Sequence, residues 1–234
     1  MKQNTMKRKT FFVTGTDTDV GKTVVAVALI EAFNAKKLST LAIKPIAAGC
    51  EVTDDGLRNA DALMLQNAMS LELPYAQLNP VAFQPPIAPH IAAAQAGKRV
   101  SVSRVEGICR GVFMKGADIT IVEGAGGWRV PLNERETMAD LARALDLPVI
   151  LVVGMKLGCI NHALLTVEAI ARDGLPLAGW VANQIDPDMD VCQENINTLK
   201  AAISAPCLGI VPYMSEVAFN EASKMLTIDP LLLN

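Results

Sequence analysis

Short runs of β-branched residues alternate along the chain with longer Ala- and Leu-rich segments, a pattern that predicts strands followed by helices. Thr10–Thr14 is a β-branched and aromatic run that reads as a buried strand, and Val24–Phe33 is a long Ala/Val/Leu stretch that reads as a helix. LAIKP at 41–45 is a short strand stopped by Pro45, and DALMLQNAM from Asp61 is helical. A proline-rich passage, NPVAFQPPIAPH at 79–90, is followed by two helical stretches that lead into ADITIVEGAGG at 117–127. Beyond it come helix Thr137–Leu145, strand Val149–Val153, helix Asn161–Arg172, strand Ala178–Asn183, a helix from about Val191 to Ile203 and strand Leu208–Val211. This βα alternation, without repeat or linker, predicts one doubly wound α/β domain over residues 1–234, with 1–9 flexible. Its sheet should be mostly parallel, covered by helices on both faces, with ligands at the carboxyl ends of the strands.

Composition refines that picture. The 234 residues are 51% hydrophobic, 4% aromatic and 19% charged, so the core is aliphatic, as suits helices packed over a parallel sheet. A net charge of −3 with no basic cluster argues against a nucleic-acid partner. The charged N-terminus MKQNTMKRKT leads into no signal-like apolar region, and the most apolar stretch, Val149–Val153, is too short to span a bilayer, so a soluble protein with no membrane partner is expected. Five cysteines (Cys50, Cys109, Cys159, Cys192, Cys207) without CxxC spacing, beside two histidines, offer neither a disulfide nor a zinc framework. A reducing cytoplasm fits that usage.

Candidate chemistry concentrates in GTDTDVGKT at 15–23. The segment departs from G-x-x-x-x-G-K-[ST], because five residues separate Gly15 from Gly21 and the usual first glycine falls on Thr16. A strand before it and a helix after it are the context a phosphate-binding loop requires, since N–H groups of the turn and the helix N-terminus point at the phosphates. Thr16, Asp17, Thr18, Asp19, Val20 and Gly21 would then wrap the phosphates, with Lys22 reaching the outer ones and Thr23 ligating Mg²⁺. The competing reading, a tight turn that happens to contain GKT, is disfavoured by the flanking strand and helix. The fold is accordingly expected to be of the P-loop NTPase type.

Two residues stand just past strand ends. Lys44 follows Leu41-Ala42-Ile43, but a lysine there is more often a solvated surface residue, and Lys44 in isolation reads that way. Glu123 ends the apolar run 119–122 and precedes glycines that let a ligand approach the backbone. It is a candidate Mg²⁺ ligand, with a capping or surface glutamate as the alternative. Asp61, in GLRNADAL, also suits the first turn of a helix, where an acid complements the dipole.

Taken in order, GTDTDVGKT, KPIAAG, GLRNADAL, PPIAPHIAAAQ, VEGAGGW, VVGMKLGCINHALLT and GWVANQI, spanning Thr14 to Ile185, resemble the dethiobiotin synthetase family, of which the variant loop is itself typical. The resemblance implies an ATP-dependent enzyme that carboxylates 7,8-diaminopelargonic acid, phosphorylates the carbamate and closes a cyclic urea with loss of phosphate. It makes ATP the co-substrate, Lys22 and Lys44 the catalytic cations, and Thr23, Asp61 and Glu123 the Mg²⁺ ligands. It puts Gly124, Ala125 and Gly126, in a glycine turn ending at Gly127, against the nucleotide and the carbamate. Asn183 and Gln184, with Pro212, Tyr213 and Met214, would bind the adenine. Lys44, Ala48 and Gly126 would face the substrate, whose carboxylate would be received at Gly158, Cys159 and Asn161 across the interface of a homodimer with shared sites. Cys159 is not expected to be a nucleophile, and His90 and His162 are expected to be structural. The 161–172 helix is apolar on more than one side, which fits a core helix and an interface helix equally.

There are departures. Ala48 stands where many members of the family carry a Ser or Thr hydroxyl, removing a hydrogen bond worth about 0.5–1.5 kcal/mol. The last twenty residues match the family poorly, which leaves room for a paralogue with altered substrate. The alternative from another class is a ParA- or MinD-like ATPase switch, which carries a signature lysine where this chain has Asp17. Its membrane-targeting helix has no counterpart in EASKMLTIDPLLLN, which lacks basic amphipathic character. An accessory domain of an amidoligase or acyltransferase is disfavoured because no second domain is expected.

Overall fold

The computed structural model describes residues 7–215 and 218–233. Of the nine residues expected to be flexible, 1–6 lie outside the described residues, whereas Lys9 already pairs with Ile119. The first half of the chain forms β1 (Lys9–Gly15), α1 (Lys22–Ala35), β2 (Thr40–Ile43), β3 (Ile46–Ala47), β4 (Glu51–Thr53), β5 (Gly56–Arg58), α2 (Ala60–Ala68), α3 (Tyr75–Leu78), β6 (Val81–Ala82), α4 (Pro89–Gln95) and α5 (Val102–Phe113). The second half forms β7 (Ile119–Gly127), α6 (Met138–Leu145), β8 (Val149–Met155), α7 (Cys159–Arg172), β9 (Leu177–Gln184), α8 (Cys192–Ala202), β10 (Cys207–Val211), α9 (Phe219–Lys224) and α10 (Asp229–Leu232).

Six strands build one sheet in the order β10-β9-β8-β1-β7-β2, with every pair parallel. The strands read as continuous apolar runs because both faces are covered. In β1, Phe11 and Val13 pack with Val25, Leu29 and Phe33 of α1, whereas Phe12, pointing the other way, packs with Val105 of α5 and Leu141 of α6. In β8, Ile150 and Val152 join the α1 face, and Leu151 and Val153 join Ala163 of α7 and Leu199 of α8. Each of these large side chains is fully buried or nearly so, worth about 1.5–3 kcal/mol apiece by transfer from water. The doubly wound expectation therefore holds.

Several boundaries differ for local reasons. Helix α6 starts at Met138 because Thr137 is its cap, in a reciprocal pair with Asp140. Helix α7 starts at Cys159, not Asn161, because Gly158 adopts φ 91 and caps it. The parallel pair β3–β6, the hairpin β4–β5, α3 and the C-terminal helices α9 and α10 are additions to the expected order. They run to six residues at most, too short for a period to register.

Candidate active site

The strand order reverses at β1: the chain leaves it for β2 on one side and later reaches β8 on the other. Such a reversal opens a crevice at the carboxyl ends of the strands. A cleft of ≈ 910 Å³ opens there, lined by Thr18, Asp19, Gly21, Lys22 and Thr23 at the start of α1, Lys44, Ala47 and Ala48 after β2, and Asp61 and Met64 of α2. Residues 86–89 form another wall, with Glu123, Ala125 and Gly126 of β7, Val130 and Phe219 closing it. The loop is shaped from within. Gly21 has φ 82, and a Cβ there would lie 2.0 Å from Asn183 Nδ2, which donates to the Val20 carbonyl at 2.9 Å. Lys22 is 7% exposed and donates to the Asp17 carbonyl at 2.9 Å.

Lys44 is not the solvated lysine that its position alone suggests: it is 5% exposed. Its ammonium donates to Asp61 Oδ2 and Glu123 Oε1, each at 2.6 Å, and Thr23 Oγ1 donates to the same Glu123 oxygen at 2.8 Å. Burial alone would depress the Lys44 ammonium, but the carboxylates of Glu123 and Asp61 outweigh it and hold it above the ordinary lysine value. Burial pushes Lys22 below that value, against the pull of Glu123 and with the repulsion of Lys44. Asp61 lies in the first turn of α2, which Asn59 caps in its place, and it lines the cleft. Glu123 corrects the expectation that it ends its strand. It is the fifth residue of β7, paired opposite Val13, and the strand runs on to Gly127, which pairs with Gly15 across an irregularity in β1. The expected glycine turn is therefore strand, with Gly126 alone left-handed at φ 61. Glu123 is fully buried, and its Oε2 has no hydrogen-bond partner among the described residues.

The chain matches the AAA domain family over residues 9–221. It is 59% identical to the ATP-dependent dethiobiotin synthetase BioD of Cellvibrio japonicus, over 97% of this chain and 99% of that one. With the protein of the same description from Marinobacter nauticus it shares 53% identity over 98% of this chain and 100% of the relative. The chain belongs to the dethiobiotin synthetase family. Among solved structures it resembles the signal recognition particle receptor FtsY of Elizabethkingia anophelis (TM-score 0.54, 14% identity, 100% of this chain and 66% of that chain). It also resembles the FtsY of Thermotoga maritima (TM-score 0.52, 13% identity, 98% and 70%). At such identities the likeness is one of P-loop fold alone.

Within this dethiobiotin synthetase fold, other expected site residues stand outside the cleft. Thr16 donates its N–H to the Val152 carbonyl at 3.0 Å, and Gly124 backs onto the Phe12 ring. Asn183 and Gln184 end β9, and the Tyr213 N–H donates to Gln184 Oε1 at 3.4 Å, which joins the two segments expected at the adenine. Pro212 and Tyr213 are exposed and Met214 half-buried. Gly158, Cys159 and Asn161 lie after β8, away from the cleft walls. Asn161 is exposed, whereas Cys159 is buried and burial pushes its thiol up, against any role as nucleophile. Lys156 ties the two βα turns together by donating to Asp17 Oδ2 at 3.1 Å. His90 is the second residue of α4, with its Nδ1 buried and unpartnered among the described residues, and His162 lies in the first turn of α7. The cleft walls Met64, Ile87, Val130 and Phe219 went unassigned in the sequence. Only the proline-rich passage around Ile87 carried a signal, as a block of the resemblance.

Proposed function

We propose that the chain makes dethiobiotin from 7,8-diaminopelargonate, CO₂ and ATP, releasing ADP and phosphate. The observation that carries this, beside family membership, is the convergence of Lys22, Lys44, Asp61, Glu123 and Thr23 on one cleft at the strand ends. One amine of the substrate loses a proton and attacks CO₂ to form a carbamate. The carbamate oxygen attacks the γ-phosphorus of ATP, and ADP leaves. The second amine then attacks the carbamoyl carbon, expels phosphate and closes the ring. Each stage spreads negative charge over transferring oxygens, and preorganised cations in a water-poor site stabilise it most. Lys22 and Lys44 are such cations, and backbone N–H groups at Ala125, Gly126 and the start of α1 would orient the phosphates. A Mg²⁺ ion fits Thr23, Asp61 and Glu123, because all three offer hard oxygen and the buried Glu123 Oε2 is otherwise unpartnered. Bound with ATP, it would supply further charge neutralisation. No group of three or more His, Cys, Asp or Glu side chains that could hold a metal occurs among the described residues, as suits an ion that takes much of its coordination from phosphates and water.

The deciding assay measures ATP hydrolysis with and without diaminopelargonate and bicarbonate. Hydrolysis that requires both, with dethiobiotin as product, is the expected result. Hydrolysis independent of both favours the ATPase switch, which Asp17 already disfavours. A different diamine as the preferred substrate would make the chain a paralogue.

The active species in this reading is a homodimer in the cytoplasm. Support comes from the α7 start, which stands apart from the cleft it would serve, and from exposed Leu157, Leu164 and Leu165 beside it. The five cysteines are free, as a reducing compartment would leave them, and no helix among the described residues is long and apolar enough to cross a membrane. Mixing a Lys22→Gln chain with one altered at Asn161 regains activity if sites are shared. Recovery of nothing returns each site to a single chain.

A further inference from the structure

Lys44 and Asp61 reach the cleft from different elements, and a chain of polar groups, the two asparagines buried and Tyr75 half-buried, ties their backbones together. The Lys44 peptide is held on both sides by one short segment: its N–H donates to the Leu78 carbonyl at 2.9 Å, and its carbonyl accepts from Asn79 Nδ2 at 2.7 Å. Asn79 Oδ1 accepts from the Tyr75 hydroxyl at 3.3 Å, and that hydroxyl in turn accepts the Asn59 N–H at 2.7 Å. Asn59 then opens α2, with its Oδ1 accepting from the Ala62 N–H at 3.1 Å and its Nδ2 donating to the Ala48 carbonyl at 3.3 Å. Asn59 and Asn79 are 6% and 4% exposed, and the Arg58 guanidinium lies over the Tyr75 ring at 4.2 Å.

Two desolvated amides and a phenol are a costly way to fill space, because each polar group must find its partner or forfeit its hydration. What they add over apolar packing is direction. None of the three lines the cleft, so each acts only through another residue. We infer that Asn79, Tyr75 and Asn59 are positioning residues, a hydrogen-bonded bridge that sets the Lys44 ammonium against the Asp61 carboxylate and fixes the Ala48 segment beside them. This rests on the roles given above to Lys44 and Asp61.

Tyr75→Phe tests the bridge, since it removes one hydroxyl and keeps the ring under Arg58. The full chain is assayed for dethiobiotin formation, with a Mg²⁺ titration and a thermal melt. The expected result is a kcat lowered about tenfold to a hundredfold and more Mg²⁺ needed for half-maximal rate, with KM for ATP within about twofold, as for other groups that orient a ligating shell. A lower melting temperature with wild-type kcat and Mg²⁺ dependence would make the bridge merely structural and overturn the inference. Asn79→Asp is the second variant, isosteric and able to accept from Tyr75 but without the donor to Lys44, and the same kcat loss is expected. Combining the two should cost no more than the larger single loss, because both break one bridge; losses that multiply refute a shared path. Lys44→Gln serves as the control. Wild-type turnover in that variant sinks the reading of the site, whereas an inactive Lys44→Gln beside wild-type Tyr75→Phe and Asn79→Asp sinks the bridge alone.

Discussion

The turn from β1 into α1 and the turn from β8 into α7 each use a left-handed glycine as helix N-cap, Gly21 at φ 82 and Gly158 at φ 91, and each begins a helix of fourteen residues. Both present free N–H groups and the positive end of a helix dipole. They differ in what surrounds them. Nine of the fourteen α1 residues are buried, so that helix is enclosed within the chain, and its turn faces two buried lysines. In α7 three are buried, Leu165 is 57% exposed and Leu157, just before the cap, is 93% exposed. The same backbone thus stands among buried cations and cleft walls at the first turn, whereas at the second the neighbouring cation, Lys156, is half-exposed and pairs with Asp17. At the second turn those walls would have to come from another copy, as proposed above.

The largest effect that would break this contrast is expected for Lys22→Met. Turnover should fall about a hundredfold to a thousandfold as a cation is lost from the phosphate site. Stability should move the other way. Because burial depresses the Lys22 ammonium, the charged form destabilises the folded state at every pH below its ordinary value, and stability recovers as pH rises toward that value. The variant should therefore melt at or above the wild type at pH 7, with the gap closing in alkali. Calorimetry across pH checks the sign, and unchanged turnover would remove the first turn from the chemistry.

Next come the paired substitutions Gly21→Ala and Gly158→Ala. The first should cost about 2–5 kcal/mol, combining left-handed strain with the broken Asn183–Val20 hydrogen bond that the new Cβ displaces. The second meets nothing within 4 Å and should cost only the strain, about 1–2 kcal/mol. Equal denaturant midpoints for the two would erase the contrast. Leu165→Asp should change the stability of a lone chain by no more than about 0.5 kcal/mol while halving the mass in solution, if α7 faces a second copy. An unchanged mass would argue for an ordinary surface. The smallest effect is expected for Lys156→Ala, which cuts the one ion pair between the two turns. With both groups exposed it should cost about 0–1 kcal/mol, and less still in high salt.

What the sequence disclosed follows from how far apart the deciding contacts lie. The alternation of β7, α6, β8, α7, β9, α8 and β10 is written in local period and composition, and it was legible to within a few residues. The helix placed at Asn161–Arg172 begins two residues earlier, because the left-handed backbone of Gly158 sets its start and Cys159 and Ile160 carry no period of their own. Lys44 was misleading alone, since its burial depends on Glu123, 79 positions away, and no window of a few residues contains that partner. The extension of β7 through its glycines is likewise dictated by pairing with Gly15, not by any strand preference of glycine. Val130 and Phe219 line the cleft through tertiary placement alone, and neither stands in a pattern that marks it.

The central place of β1 has a consequence for how the chain is born. It is the first strand to be synthesised, yet its two neighbours in the sheet are β7 and β8, which begin at Ile119 and Val149. At ordinary synthesis rates, the stretch from Gly15 to Met155 takes roughly 7 to 28 seconds to follow. Until β7 is complete at Gly127 the apolar run Phe11–Phe12–Val13 has no strand to pair with, and until Met155 its other edge stays open. A nascent chain with so late a pairing depends on α1 folding over its own strand, or on a chaperone, to keep that segment from foreign β-edges. A ribosome-stalled chain ending before Val149 should accordingly be far more sensitive to protease around Phe11–Phe12 than one ending after Met155.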